Sequence, residues 1–129
     1  MNRRVMLAED HPLMREAIQR LLAAEYDLVG TVERGDELLA AAHRELPEAV
    51  VLDVSMPGLS GLQVLPSLRA QLPGMCLIVL TAHDNAFYRR EAFQRGADGF
   101  VVKGRAFTDL LPALERALSA KEGRARRQA

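Results

Sequence analysis

A second cysteine is missing, and with it any internal disulfide. Cys76 stands alone, inside the apolar run Met75–Leu80, where a reduced, buried thiol is expected. No apolar run approaches the ~20 residues of a membrane span. The opening residues, MNRRVMLAEDHP, meet acids too early for a signal peptide. A cytoplasmic protein is the expectation. Neither sign of charge prevails: 17 Lys and Arg balance 17 Asp and Glu, for a formal net charge of +0. Nothing global therefore draws the chain to nucleic acid or to a membrane surface. Lysine is scarce, with only Lys103 and Lys121 among the 17 basic residues. Internal repeats and internal linkers are absent. What is present, 129 residues with 49% hydrophobic and 26% charged, suits one ordinary globular domain with its own core.

The most informative stretch is Ala49–Gly61, AVVLDVSMPGLSG. Its apolar start, Ala49–Leu52, reads as a strand buried on both faces. It ends in Asp53, and Met56-Pro57-Gly58 then turns the chain. Four other segments read as strands: Arg4–Glu9, Leu28–Val32, Met75–Leu80 ending at Thr81, and Gly99–Val102 ending at Lys103. Helices fall between and after them. The first opens at Pro12 and carries Leu13, Ile18, Leu21 and Leu22 at helical spacing. The second starts at Gly35-Asp36, with Leu38, Leu39, Ala42 and Leu46 on one face, and stops before Pro47. The third runs from about Ser60 to Leu72. Pro66 inside it removes a backbone bond to Leu62 and should kink it. The fourth is capped by Asp84 and closed by Gly96. The fifth is capped by Thr108, with Leu110, Leu111, Leu114 and Leu118 as its stripe.

Alternating strands and helices imply a parallel sheet covered on both faces by right-handed crossovers. Five such units fit a doubly wound α/β fold, flavodoxin-like (βα)5, with strand order 2-1-3-4-5. In that order strands one, three, four and five are neighbours. Their carboxyl ends, which carry Glu9-Asp10, Asp53, Thr81 and Lys103, then converge on one edge. Three crowded carboxylates repel, and they either hold raised pKa values or share a cation. Magnesium suits such oxygen ligands and commonly takes one or two carboxylates plus a phosphate. A metal, a lysine and a hydroxyl around an acid meet the needs of phosphoryl transfer, which is mostly positioning and charge stabilisation. Asp53 is then the nucleophile, forming an aspartyl phosphate.

Over about residues 4–120 the chain resembles the receiver domain of two-component response regulators. The resemblance rests on LAEDHP, VVLDVSMPGLSGL, LIVLTAHD and GADGFVVKG. The wording of LAEDHPLMREAI and GADGFVVKG is most like regulators that end in a helix-turn-helix output domain of the LuxR/NarL type. The resemblance implies that Glu9 and Asp10 are the acid pair, with Asp53 the phosphoacceptor of a partner histidine kinase or phosphotransfer protein. Mg2+ would be held by Glu9, Asp10, Asp53 and the backbone carbonyl of Ser55. Thr81 would donate to the phosphoryl group and Lys103 would pair with it. Phe100 would be the aromatic that turns inward when Thr81 moves. The output would be a changed surface of helix four, strand five and helix five, controlling transcription, with a phosphorylation-dependent homodimer as one form. DNA would be reached only through an output domain outside this chain. Residues 1–120 would form the receiver, and 121–129 a basic tail or the start of a linker. Two departures stand out: the first acid is Glu9 where Asp is also common, and Gly104, not proline, follows Lys103.

Each residue also has a plainer reading. Taken singly, Asp53 is a turn acid, Glu9-Asp10 cap a helix, Thr81 bonds its own backbone, Lys103 is a solvated charge and Phe100 is core. Only their convergence argues otherwise. His11, His43 and His83 are expected to be exposed, and Phe87 partly so. The cluster Arg124, Arg126 and Arg127 has no accompanying aromatic or recognition helix, so it reads as solvated. An aspartyl-phosphate phosphatase of the haloacid-dehalogenase type would want an acid at residue 55, where Ser55 stands. A flavodoxin-like cofactor binder would want a hydroxyl- or glycine-rich phosphate loop after strand one, where Glu9-Asp10 would repel phosphate. A degenerate receiver serving only as a protein-binding module is disfavoured because the acid, hydroxyl and lysine set is complete; a signalling switch, not an enzyme, is the favoured reading.

Overall fold

The computed structural model describes residues 3–128 except 57 and 59, with side chains as far as residue 124. Pro57 of the expected turn therefore lies outside the described residues, as do the side chains of Arg126 and Arg127. Five strands are present: β1 (Arg4–Ala8), β2 (Asp27–Val32), β3 (Ala49–Asp53), β4 (Cys76–Thr81) and β5 (Gly99–Val102). The helices are α1 (Pro12–Ala23), α2 (Gly35–Glu45), α3 (Gly61–Gln71), α4 (Ala86–Gln94) and α5 (Ala106–Gln128). A single 3-10 turn, Lys103–Arg105, joins β5 to α5. All pairings are parallel and the strand order is β2-β1-β3-β4-β5, as expected.

Strand alternation divides the core into two layers. Met6, Ala8, Val50, Leu52, Leu77 and Val79 face α2, α3 and α4. Val5, Leu7, Val51, Ile78, Leu80 and Val101 face α1 and α5. Cys76 is buried in the second layer, as expected, and burial raises its thiol pKa. Its Sγ donates to the Ala117 carbonyl at 3.4 Å.

Several element ends differ from expectation, each for a local reason. The cap of α4 is Asn85, not Asp84: its Oδ1 accepts from the Phe87 and Tyr88 amides at 2.7 and 3.4 Å. Thr108 does not cap α5. That helix grows directly out of the 3-10 turn at Ala106, so Thr108 lies in its first turn and donates to the Arg105 carbonyl at 3.1 Å. His11, not Glu9 or Asp10, caps α1, its Nδ1 accepting from the Met14 amide at 3.3 Å. Leu13 is 75% exposed, because at 100° per residue it lies about 140–180° around α1 from the buried Ile18 and Leu22. Leu46 leaves α2's apolar face. It adopts the left-handed conformation (φ 48°) that ends the helix, ahead of a proline that disfavours a helical predecessor. α5 continues to Gln128, so the division between residues 120 and 121 falls within a helix, and Glu122 beyond it pairs with Arg3.

Candidate functional site

Register builds the site. Ala8 pairs with Leu52 and Asp53 with Leu80, while Thr81 pairs with Val102. The residues that follow these pairs, Glu9 and Lys103, therefore flank Asp53 from the two sides of β3 and β4. Asp53 ends the central strand and is 2% exposed; Glu9 is fully buried. Lys103 reaches across the edge, its Nζ donating to Glu9 Oε1 at 2.7 Å and to Asp53 Oδ2 at 3.1 Å. The other Asp53 oxygen, Oδ1, accepts from the Ser55 amide at 3.2 Å. Carboxylate oxygens of Glu9, Asp10 and Asp53 lie within 4.8 Å of one another.

The electrostatics follow from this packing. Burial pushes the Glu9 carboxyl up to about 7; the Lys103 hydrogen bond opposes the shift and the charge of Asp53 adds to it. Burial alone would lower Lys103, but its bonds to Glu9 and Asp53 and their charges outweigh that and leave its pKa raised. One lysine thus sits among three acids. Glu9 Oε2 is buried with no hydrogen-bond partner among the described residues. An orphaned, buried carboxylate oxygen beside two further carboxylates fits a hard, oxygen-seeking cation such as Mg2+. The donor set is all oxygen, with no competing thiol or imidazole.

Thr81 ends β4, buried, with its Oγ1 accepting from the His83 amide at 3.1 Å. Phe100 is the cross-strand partner of Val79, two residues before Thr81, so Thr81 and Phe100 lie diagonally on the same sheet face. Phe100 is half-buried, packed against the layer beneath α3 and α4. The guanidinium of Arg89, on α4, stands 4.7 Å from its ring centroid, in cation–π contact.

Of the seven proposed site residues, Glu9, Asp10, Asp53, Ser55, Thr81 and Lys103 lie along this edge, and Phe100 lies two residues short of it on β5. Glu9, Asp53, Lys103 and Ser55 are directly bonded, Asp10 adjoins them, and Thr81 and Phe100 lie on the neighbouring strands. Ser55 is exposed and contributes its N–H to Asp53. No cis peptide occurs among the described residues. His11, His43 and His83 are exposed, and Phe87 is 58% exposed. Two contributors escaped sequence reasoning. Arg89 carried no signal, since nothing in its local pattern points to a ring on β5. Gly61 did carry one, a glycine opening a helix. A Cβ there would stand 2.2 Å from the Asp53 carbonyl oxygen, so only glycine lets α3 start against the backbone of Asp53.

A family model for the response regulator receiver domain matches residues 5–115. The chain is 32% identical over 116 residues to the uncharacterized transcriptional regulatory protein YxjL of Bacillus subtilis, covering 88% of this chain and 53% of that one. It is 31% identical over 115 residues to the nitrate/nitrite response regulator protein NarL of Escherichia coli, covering 88% and 53%. Among solved structures, a two-component response regulator of the LuxR family from Aurantimonas superposes with a TM-score of 0.87 at 28% identity. That match covers 93% of this chain and 87% of the other. The chain spans about half the length of the curated relatives it matches.

Proposed function

The chain belongs to the response regulator receiver domain family, and from that premise we propose that it is a phosphorylation-driven switch whose phosphoacceptor is Asp53. One observation above all supports the reading: a buried aspartate at the end of the central strand, bonded to a lysine and crowded by two further acids. The donor is a histidine kinase or phosphotransfer protein. An Asp53 carboxylate oxygen attacks phosphorus. The P–N bond of the donor phosphohistidine breaks, its electron pair stays on the imidazole, and an O–P bond forms on Asp53.

Lys103 already spans Glu9 and Asp53, so its ammonium lies where negative charge accumulates. Glu9, Asp10, Asp53 and the Ser55 backbone carbonyl are the groups that would hold Mg2+. When bound, the ion supplies positive charge beside the phosphoryl oxygens. Thr81 supplies a hydroxyl donor at the adjacent strand end: its Oγ1 accepts from the His83 amide, and its O–H can donate at the same time.

Phosphorylation adds about 1.5–2 negative charges and new acceptor oxygens. Drawing Thr81 toward them opens space on the face that Phe100 shares, and the ring turns inward, leaving Arg89. The surface of α4, β5 and α5 changes with it. Shifting a two-state equilibrium from 1:99 to 99:1 takes about 5.5 kcal/mol, and charge-assisted bonds of ~1.5–3 kcal/mol each supply much of that. The changed surface acts on transcription through an output domain outside this chain, with a homodimer as one phosphorylated form, in the cytoplasm. No helix of the described residues is long and apolar enough to cross a membrane.

The test is intact mass after incubation with acetyl phosphate and Mg2+. One added phosphate is expected on the wild type and none on Asp53→Asn. Equal labelling of the two proteins refutes the assignment.

A further inference from the structure

We propose that Arg95, by bonding the Leu62 carbonyl that Pro66 leaves without a helical donor, forms a polar clasp that ties α4 to the first turn of α3, and that this clasp sets how long Asp53 keeps its phosphoryl group. The inference rests on the phosphoacceptor reading above. Pro66 lies inside α3 and has no N–H, so the carbonyl of Leu62, four residues earlier, lacks its helical donor. The sequence alone points to a kink there. The structure supplies a replacement donor from another helix: Arg95 Nη1 donates to that carbonyl at 3.1 Å, from 33 residues away. Glu91 orients the guanidinium, its Oε1 accepting from Arg95 Nη2 at 3.2 Å and from Nε at 3.4 Å. Arg95 is the C-cap residue of α4. The clasp therefore joins the end of one helix to the beginning of another.

Apart from the Arg89 contact with Phe100, little else holds α4 among the described residues. Ala92 is its single buried residue, while Phe87 and Phe93 are 58% and 44% exposed. The first turn of α3, by contrast, is anchored to the phosphoacceptor strand. The Gly61 amide donates to the Val54 carbonyl at 3.1 Å, and Gly61 lies against the Asp53 carbonyl. Between these two supports lies a cleft of about 300 Å³. One wall is Val54, Ser55, Ser60 and Leu62; the other is Thr81, His83 and Tyr88. Leu62, whose carbonyl the clasp engages, belongs to the first wall, and Tyr88, on α4, to the second. Ser55, two residues after Asp53, and Thr81, at the end of the adjacent strand, both line this cleft, and in the proposal it is the cleft that admits water to the phosphoryl group. In hydrolysis a water oxygen bonds to phosphorus, the bond from phosphorus to the Asp53 oxygen breaks, and the carboxylate departs. The water's proton goes to solvent, and inorganic phosphate leaves. A wider cleft admits that water more readily. Arg95 is thus a positioning residue: it acts through α4 and touches no reacting atom.

The experiment compares wild type, Arg95→Met and Arg95→Met/Pro66→Ala. Each is labelled with acetyl phosphate and Mg2+, and the loss of phosphate is followed by intact mass after the donor is removed. Melting temperature and α4 amide exchange are measured on the unphosphorylated proteins. Arg95→Met is expected to lower the melting temperature, speed exchange at Ala92 and shorten the phosphoryl half-life severalfold. Adding Pro66→Ala returns an N–H to the Leu62 carbonyl inside α3 but does not restore the tie to α4. The double variant should therefore recover melting temperature yet keep fast exchange and a short half-life. A half-life in Arg95→Met equal to wild type overturns the clasp while leaving Asp53 as phosphoacceptor. Recovery of half-life together with melting temperature in the double variant also overturns it, because the effect would then be one of stability alone. Absence of labelling on the wild type removes the phosphoacceptor reading and the proposal with it.

Discussion

Replacing Gly61 with alanine tests the link between the start of α3 and the phosphoacceptor. A Cβ at this position stands 2.2 Å from the Asp53 carbonyl oxygen, 2.9 Å from its carbon and 3.1 Å from the Val54 Cα. All three are backbone atoms, so no side chain can rotate out of the way, and real Cβ atoms essentially never come within 3.0 Å of such a neighbour. β3 is hydrogen-bonded to β1 on one side and β4 on the other, so α3 is the element that must yield. Its first turn would have to part from Val54, losing the Gly61 bond and straining the box in which Ser60 and Gln63 cap each other. Overpacking of this kind costs about 1–3 kcal/mol. Alanine's better helix propensity, at most ~1 kcal/mol in a helix interior and less in a first turn, offsets only part. The net loss, about 0.5–2.5 kcal/mol, corresponds for a domain of this size to a fall in Tm of roughly 2–10 °C. Thermal unfolding followed by circular dichroism measures it, with Gly74→Ala as the control. A Cβ at Gly74 meets nothing within 4 Å, so that variant should melt within a degree or two of wild type. The Asp53 backbone also shifts in Gly61→Ala, and labelling by acetyl phosphate should slow. A Gly61→Ala protein that melts with wild type and labels at the same rate would refute the argument.

Two further outcomes are expected. Thr81→Ala should still accept phosphate but lose the response at Phe100, checked by comparing backbone amide shifts around Phe100 with and without phosphate; a wild-type response in the variant defeats the proposed coupling. Arg69→Met should destabilise the fold by roughly 2–4 kcal/mol in urea unfolding. Arg69 donates to the Gly96, Pro73 and Met75 carbonyls and to Asp98 at 2.6–3.0 Å. Its loss removes these bonds and leaves Asp98 with the Leu77 amide as its remaining donor; a loss under 1 kcal/mol would contradict this account.

The parts legible in the sequence are those governed by period and register. Apolar runs of strand length, separated by helical spacing, point to five strands, and fitting five βα units to the flavodoxin-like pattern supplies their order. Once that order stands, Glu9, Asp53, Thr81 and Lys103 must share an edge, because parallel strands end together. Topology thus brings Lys103 near Glu9 and Asp53, while the two bonds it makes to them are seen only in the structure. What stayed hidden depends on choices between near-equal neighbours, or on side chains that cross between elements. Asp84 and Asn85 are both good caps, and only the path of the chain after Thr81 gives the position to Asn85. Leu46 matches α2's apolar period, yet Pro47 ends the helix and turns it outward. Arg69, Arg89 and Arg95 look alike in sequence, as basic residues on amphipathic helices. In the structure one binds three carbonyls and an acid, one covers a ring, and one serves a carbonyl that a proline left bare. Long flexible side chains reach partners that no local pattern encodes. Pro66 is the instructive case. Its sequence announces a missing bond to Leu62, and the missing bond is the half of the Arg95 contact that can be read; the donor becomes visible only when α4 is laid against α3.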